Sequence, residues 1–410
     1  MTETGYKFSS AQAGDHDELN ELVQGQGTYT SDISLPGQLH ACFVRSPWAH
    51  ARITSLDVTE AQAMSGVRAV VTARDVEQAG LGPIMPLVVL KGSNGQNMHC
   101  SGMPLLAHDE VRHVGEPVAL VVADTLEQAM NGAEAVQIDY DPLPCVTDLR
   151  AAIAADAPQV QAVAPGNIAM DWTLGESAEL QSAFDRAHHI ERIELADPML
   201  TGAPMEPKAA LAQYDAQTGR YTLIASTQGV KNIHHVLSTQ VFKVAGEKIR
   251  VLTPKVGGGF GLKSQTYPEQ AVLLLAARIA GRPVKWTATR LECFLTDTHG
   301  RNTHIHGEMA FDAQGQIIGL RADFLCGVGA YTSGYIGVVS TMNIYNCLSS
   351  VYRMPVLSMR SRLVHTHVMA GGPYRGAGRP EAIYLVERLL DAARSEEHTS
   401  ELQSLAYLVC

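Results

Sequence analysis

The chain has 410 residues, 46% of them apolar and 18% charged, with a formal net charge of −11. That composition is globular rather than disordered, the length provides for two or more domains, and the acidic balance excludes the Lys/Arg-rich footprint that nucleic acid demands. No apolar run reaches the ~20 residues that span a bilayer and residues 1–10 lack the charged-then-apolar order of a signal peptide, so the expected compartment is cytoplasmic.

The cysteines Cys42, Cys100, Cys145, Cys293, Cys326, Cys347 and Cys410 are scattered, odd in number and free of any C-x-x-C. Neither a disulfide framework nor a zinc or iron–sulfur site is visible, and they are expected to behave as small buried apolar residues. After an N-terminal extension (1–19), the pattern over 20–142 alternates short strands and helices. Strands are predicted at 39–45, 52–56, 67–72, 118–122 and 136–140. A helix over 125–135 has Asp124 or Thr125 as its N-cap, and the Gly-, Pro- and Met-rich stretch 80–104 reads as a loop or an arm over a neighbour. Residues 143–167, with their prolines and alanines, read as a crossing linker with little core of its own. The first unit is expected to be closed by its own sheet and to withstand proteolysis without the second.

The second unit, 168–393, carries strands at 188–196, 209–214 and 221–226, the last two forming a hairpin. Thr227-Gln228-Gly229 then leads into a helix over 230–242. A polar side chain between a strand end and a helix start is where α/β proteins place ligands; Gln228 is such a candidate, a helix-capping or turn role being the alternative. A strand at 248–253 runs into Val256-Gly257-Gly258-Gly259-Phe260-Gly261-Leu262-Lys263, and a helix apolar nearly all round follows over 269–279. Consecutive glycines give up packing and backbone entropy, which a fold tolerates where backbone bends unusually or presses against something. Strand, glycine loop and helix together aim N–H groups at an anion. Neither the P-loop nor the dinucleotide fingerprint fits: Leu262 separates Gly261 from Lys263-Ser264, and the glycines are spaced two apart. A glycine turn without a ligand remains the alternative.

Strands at 283–287 and 357–368, a helical turn at 290–296 and a hairpin over 303–311 and 316–325 complete the pattern. His304, His306 and Glu308 share one strand face, as a metal site or an exposed strand face would have them. A second glycine loop, Gly371-Gly372-Pro373-Tyr374-Arg375-Gly376-Ala377-Gly378-Arg379-Pro380, enters a helix over 381–393. Arg375, between the glycines of this loop, offers a guanidinium fork to an oxyanion or phosphate, a surface turn with solvated arginines being the alternative.

These residues together resemble the large, molybdopterin-binding subunit of the xanthine dehydrogenase and aldehyde oxidase family, near its form II carbon monoxide dehydrogenase-like branch. Gly27-Thr28-Tyr29-Thr30-Ser31-Asp32-Ile33, Phe43-Val44-Arg45-Ser46-Pro47 and Ala49-His50-Ala51-Arg52-Ile53 look like its hammerhead domain. The Gln228 turn and Gly257–Gly261 look like its first cofactor-binding loops, and Tyr374-Arg375-Gly376-Ala377-Gly378-Arg379 like its active-site loop. The implied fold is α/β (α+β), an N-terminal α/β hammerhead domain followed by the first half of a molybdenum-cofactor-binding domain. The resemblance implies catalytic roles for Gln228 and Arg375, and cofactor contacts at Gln228, Gly229, Gly258, Gly259, Phe260, Gly261, Arg375 and Gly376. The metal is expected to be held by the molybdopterin, in its cytosine dinucleotide form, and not by protein side chains. A side chain at Gly259 is expected to collide with whatever the backbone approaches there.

Two departures narrow the expected substrate. Ser264 stands where xanthine-oxidising relatives carry a glutamate, and Gly376 where carbon monoxide oxidisers carry a copper-holding cysteine. Hydroxylation of an aldehyde or N-heterocycle with oxygen from water is what remains. Electrons are expected to pass to separate 2Fe–2S and FAD subunits, the intact assembly being a dimer of heterotrimers. Residues 394–410 break the helical pattern and resemble a translated sequencing adapter. The family continues for about as many residues again, and that half is expected to supply the catalytic glutamate. The chain alone is therefore expected to be inactive, with the 269–279 helix partly uncovered. The alternatives are a nucleotide- or NAD-dependent enzyme using the glycine loops, and a non-catalytic fragment that docks partner subunits.

Overall fold

The computed structural model describes residues 16–396; the remainder of the N-terminal extension and the tail beyond 396, Cys410 included, lie outside the described residues. The strands are β1 (Leu39–Arg45), β2 (Ala51–Asp57), β3 (Val67–Thr72), β4 (Glu110–Val111), β5 (Pro117–Ala123), β6 (Gln137–Pro142), β7 (Ile168–Leu174), β8 (His189–Asp197), β9 (Ala209–Asp215), β10 (Arg220–Ala225), β11 (Ile249–Leu252), β12 (Val284–Thr287), β13 (Thr303–Phe311), β14 (Ile317–Gly329) and β15 (Leu357–His365). They form a seven-stranded sheet in the order β11-β10-β9-β12-β1-β5-β3, a five-stranded sheet β7-β15-β14-β13-β8 and a small sheet β4-β2-β6.

The first sheet corrects the expectation of an N-terminal unit closed on itself. β1 runs parallel to β12, Leu39 opposite Val284 and His40 opposite Lys285, so strands from both halves of the sequence share one ladder. β5, Pro-Val-Ala-Leu-Val-Val-Ala, is buried at every position. It lacks the alternation of a half-exposed strand because helices Leu126–Glu134 and Pro268–Ala280 cover its sheet. The shorter helix starts where the sequence says, at a capping box in which Thr125 and Gln128 exchange backbone-to-side-chain bonds of 3.2 Å each.

Helix Pro268–Ala280 begins with proline in its first turn and stops at Gly281 (φ 63°). Residues 268–277 are all buried, with Val272, Leu273 and Leu274 wholly so, each side chain worth about 1.5–3 kcal/mol of burial. Among its large apolar residues only Ile279 is exposed, so the helix is not the uncovered element expected of it; β9, β12 and β3 already enclose it. A second core lies between the five-stranded sheet and helix Arg379–Glu396, which inserts Ala382, Leu385, Val386 and Leu389. That helix starts two residues before the expected 381 and runs past Arg394.

Residues 80–104 form the arm. Gly82 N donates to Val241 O (2.9 Å), Leu87 N to Gly334 O (2.9 Å) and His99 N to Ala169 O (2.8 Å), all in the second unit. Residues 143–167 are not free of core, since Val146, Leu149, Ala152 and Val160 pack with Leu325 and Val364. The helix after Gln228 is α-helical over Val230–His235 and π-helical over Val236–Val241. β7 and helix Ala178–Asp185 precede the strand at 188–196, although Ile168, Met170, Trp172 and Leu174 alternate plainly and Ser177 caps the helix. Cys293 and Cys326 are buried as expected, whereas Cys145 is exposed.

Candidate active site

The topology brings the Gln228 turn and both glycine loops to one place. β10 ends at Ala225 and β11 at Leu252, neighbouring parallel strands whose carboxyl ends open side by side. The turn 227–229 leaves the first strand and the first glycine loop leaves the second, an arrangement that in open sheets forms the ligand crevice. Gln228 is exposed; its Oε1 accepts from Gly261 N at 2.8 Å, and its own N donates to Lys263 O at 2.9 Å. That bond fixes which way the amide is turned and leaves Nε2 as a donor toward the open side. A Cβ at Gly259 would come within 2.4 Å of the Gln228 side chain. The collision expected there is therefore first with Gln228.

The two glycine loops touch. Gly261 has φ +98°, and a Cβ built on it would sit 2.5 Å from the carbonyl oxygen of Pro373, so left-handed backbone and close approach both require glycine. Phe260 is half-exposed at φ 50°, a conformation that costs a bulky residue energy. Gly229 N is taken by Thr227 Oγ1 at 3.1 Å. Among the described residues, no protein acceptor takes the amides of Gly258, Gly259 or Phe260 in the first loop, nor those of Arg375, Gly376 or Gly378 in the second. Backbone donors on a surface stripped of side chains fit an anionic group such as the phosphates of a dinucleotide.

Two buried charges that the sequence reading missed hold these loops. Glu206 Oε2 accepts from Gly257 N (2.8 Å), Ser226 Oγ (2.6 Å) and Lys263 Nζ (2.8 Å). Burial lowers the Lys263 pKa while Glu206 pulls against it. On the second loop Arg301 Nη2 donates to Arg375 O (2.8 Å) and Nη1 to Glu381 (3.2 Å), and its guanidinium lies 5.0 Å from the Tyr374 ring centroid. Arg375 itself is exposed. Glu206 stands alone in Ala203-Pro204-Met205-Glu206-Pro207, and the burial of Lys263 would have been its only pointer. Arg301 sits in no motif.

Other candidates lie elsewhere. Glu308 pairs with Arg192 (2.7 Å) and Arg321 (3.7 Å) on the five-stranded sheet, and His304 lies 4.0 Å from Asp148. Among the described residues, no group of three or more His, Cys, Asp or Glu side chains is placed to hold a metal. Ser264 Oγ is turned back onto Gly261 O at 2.5 Å.

The family model of the molybdopterin cofactor-binding domain matches residues 160–401, and that of the aldehyde oxidase and xanthine dehydrogenase a/b hammerhead domain matches residues 24–144. The structure is similar to quinoline 2-oxidoreductase from Pseudomonas putida 86, with a TM-score of 0.86 and 32% identity over 92% of this chain and 47% of that one. The 6-hydroxypseudooxynicotine dehydrogenase complex subunit gamma of Paenarthrobacter nicotinovorans is 32% identical over 92% of this chain and 47% of its own length. The carbon monoxide dehydrogenase large chain of Hydrogenophaga pseudoflava is 32% identical over 90% and 46% respectively. The chain thus spans about half the length of the curated relatives it matches. With both of its units matched in order, and the two glycine loops meeting inside the cofactor-binding match, the chain belongs to the molybdopterin-binding aldehyde oxidase and xanthine dehydrogenase family.

Proposed function

We propose that this chain supplies the large-subunit cofactor cradle of a molybdenum hydroxylase that oxidises an aldehyde or an N-heterocycle with oxygen from water. The observation that carries the reading is the meeting of the loops: Gln228 on Gly261, and Gly261 on Pro373, with unpaired amides on both sides. When bound, the molybdenum cofactor supplies the two-electron acceptor for that hydroxylation. The amides of Gly258, Gly259 and Phe260, beside Gly261, would hold its dinucleotide phosphates, the cytosine form being the one proposed. Gln228 Nε2 would donate to an oxygen on the metal side, its amide held by the Gly261 bond and its backbone carried by Gly229 into the following helix. Arg375 and the Gly376 backbone would border the substrate, with the guanidinium binding and orienting its polar end.

Gly376 has φ +99°, and a Cβ there would fall 2.4 Å from the Pro380 ring. A cysteine does not fit this loop as it stands, which favours hydroxylation over carbon monoxide oxidation. The proposed assembly pairs the chain with a 2Fe–2S subunit and an FAD subunit, as a dimer of heterotrimers in the cytoplasm. Among the described residues no helix is long and apolar enough to cross a membrane. Elemental analysis of the complex purified from its own host tests the reading. Molybdenum stoichiometric with this chain, with CMP released on acid hydrolysis, is expected; a complex that turns over aldehydes or N-heterocycles without molybdenum overturns it.

A further inference from the structure

The first glycine loop is tied at both ends to a single carboxylate. At its start, Gly257 N donates to Glu206 Oε2 (2.8 Å) while Glu206 N donates back to Gly257 O (3.1 Å). At its end, Lys263 Nζ donates to the same Oε2 (2.8 Å) and to Glu206 O (2.8 Å). The side chains of Glu206 and Lys263 are 8% and 3% exposed, so water does not compete for either. Ser226 Oγ, just past the end of β10 on the way to Gln228, supplies a third donor to Oε2 at 2.6 Å. The chain of bonds then continues: Lys263 O accepts from Gln228 N (2.9 Å) and from Thr227 Oγ1 (2.8 Å). Loop start, loop end and Gln228 turn therefore take their spacing from Glu206. Its other oxygen, Oε1, is buried without a protein partner, so the carboxylate is not arranged for the best local energy. A buried ion pair gives little net stability against an apolar substitute of similar volume. What this one provides is geometry.

We propose that Glu206 is the positioning residue of the cofactor cradle, setting the distance between the ends of the first glycine loop and the orientation of Gln228 although it faces no substrate. The inference rests on the cofactor-binding reading of that loop. The test uses the full-length protein with its partner chains, comparing wild type, Glu206→Gln, Ser226→Ala and the double variant Glu206→Gln/Lys263→Met. Each is followed by hydrogen exchange of the 257–264 segment, thermal midpoint and molybdenum content.

Glu206→Gln is expected to speed exchange in that segment by roughly tenfold or more, to leave the β13–β14 hairpin unchanged, and to empty most sites of molybdenum. The double variant removes the lysine charge that Glu206→Gln strands. It is expected to regain the thermal midpoint but neither loop protection nor metal, which a purely structural pair would not do. Ser226→Ala, which removes one donor of three and leaves the pair intact, is expected to loosen the same segment to a smaller extent. It keeps the test open should Glu206→Gln fail to fold. Unchanged exchange in 257–264 in every folded variant overturns the inference and leaves the cofactor reading untouched, as does full molybdenum in the double variant alone. Fast exchange with full molybdenum in all variants overturns the inference and the cofactor role of the loop together.

Discussion

The two glycine loops meet at Gly261 and Pro373 yet are held in opposite ways. The first is gripped at its ends by the Glu206–Lys263 pair, which leaves the amides between them open. The second is gripped in its middle: Arg301 reaches the Arg375 carbonyl and lies over Tyr374, while Glu381, in the first turn of the long helix, anchors the guanidinium. Gripping the ends shapes a cradle out of backbone, whereas gripping the middle fixes one residue's main chain and frees its side chain. On the proposed reading the first loop would hold the cofactor and the second would present Arg375.

The largest effect on stability is expected from Arg301→Ala. It leaves Glu381, 4% exposed, without its cation, and breaking a buried pair in this way costs about 3–5 kcal/mol. Urea denaturation of the intact protein measures it, and a loss below about 1 kcal/mol would mean that Arg301 does not hold the second loop. Gly261→Ala comes next, at about 2–4 kcal/mol from left-handed strain and the Pro373 contact combined, with molybdenum lost as the loops part. Gly259→Ala meets the flexible Gln228 side chain first and is expected to cost about 1 kcal/mol while displacing Gln228. Equal losses in the two glycine variants would dissolve the distinction between loop–loop and loop–side-chain contacts.

Acid should reach the second loop's side of the molecule first. His365, which closes β15, and His367, which follows it, are both buried. Burial lowers the His365 pKa to about 4, with His99 acting in the same sense. Burial, with His50 stacked 4.0 Å away and Arg112 nearby, lowers that of His367 to about 3. The Nδ1 of His367 accepts from Val146 N at 3.1 Å, a bond that protonation of that atom would break. Glu110 engages the far side of His50 at 2.5 Å. In the unfolded chain these rings protonate near pH 6.5 while the folded ones stay neutral. Each therefore adds a stability that is full above pH 6.5 and falls by about 1.4 kcal/mol per unit as the pH drops toward the folded pKa. Denaturation midpoints between pH 7 and 4.5 should show this slope, and His367→Asn should reduce it. The smallest effect on stability is expected for Arg375→Ala, within about 0.5 kcal/mol at an exposed site. It should lower turnover at near-normal molybdenum content, and emptied sites would move Arg375 from the substrate to the cofactor.

Local pattern was enough for much of this. The hairpins over 209–226 and 303–325, the buried helix 268–280 and both glycine loops carry their signals in consecutive residues, as periodicity, caps and glycine runs. What could not be read depends on partners far along the chain. The pairing of Leu39 with Val284 has no local signature, which is why the N-terminal pattern reads as a sheet closed on itself. Glu206 looks like any surface acid until Lys263 is known to be buried beside it. Arg301, at φ 64°, owes its conformation to the loop that it supports and not to its own residue type. β7 carries a clear period of two over Ile168–Leu174 that the sequence reading leaves out.

The ladder between β1 and β12 also sets a timetable for synthesis. β1 leaves the ribosome early, but the strand that completes its edge ends only at Thr287. At ordinary elongation rates the interval is on the order of 10–50 s, during which the outer edge of β1 offers unpaired N–H and C=O groups to any neighbouring nascent chain. A holding chaperone on the emerging N-terminal half, released once residues 284–287 have appeared, would convert that exposure into ordered assembly.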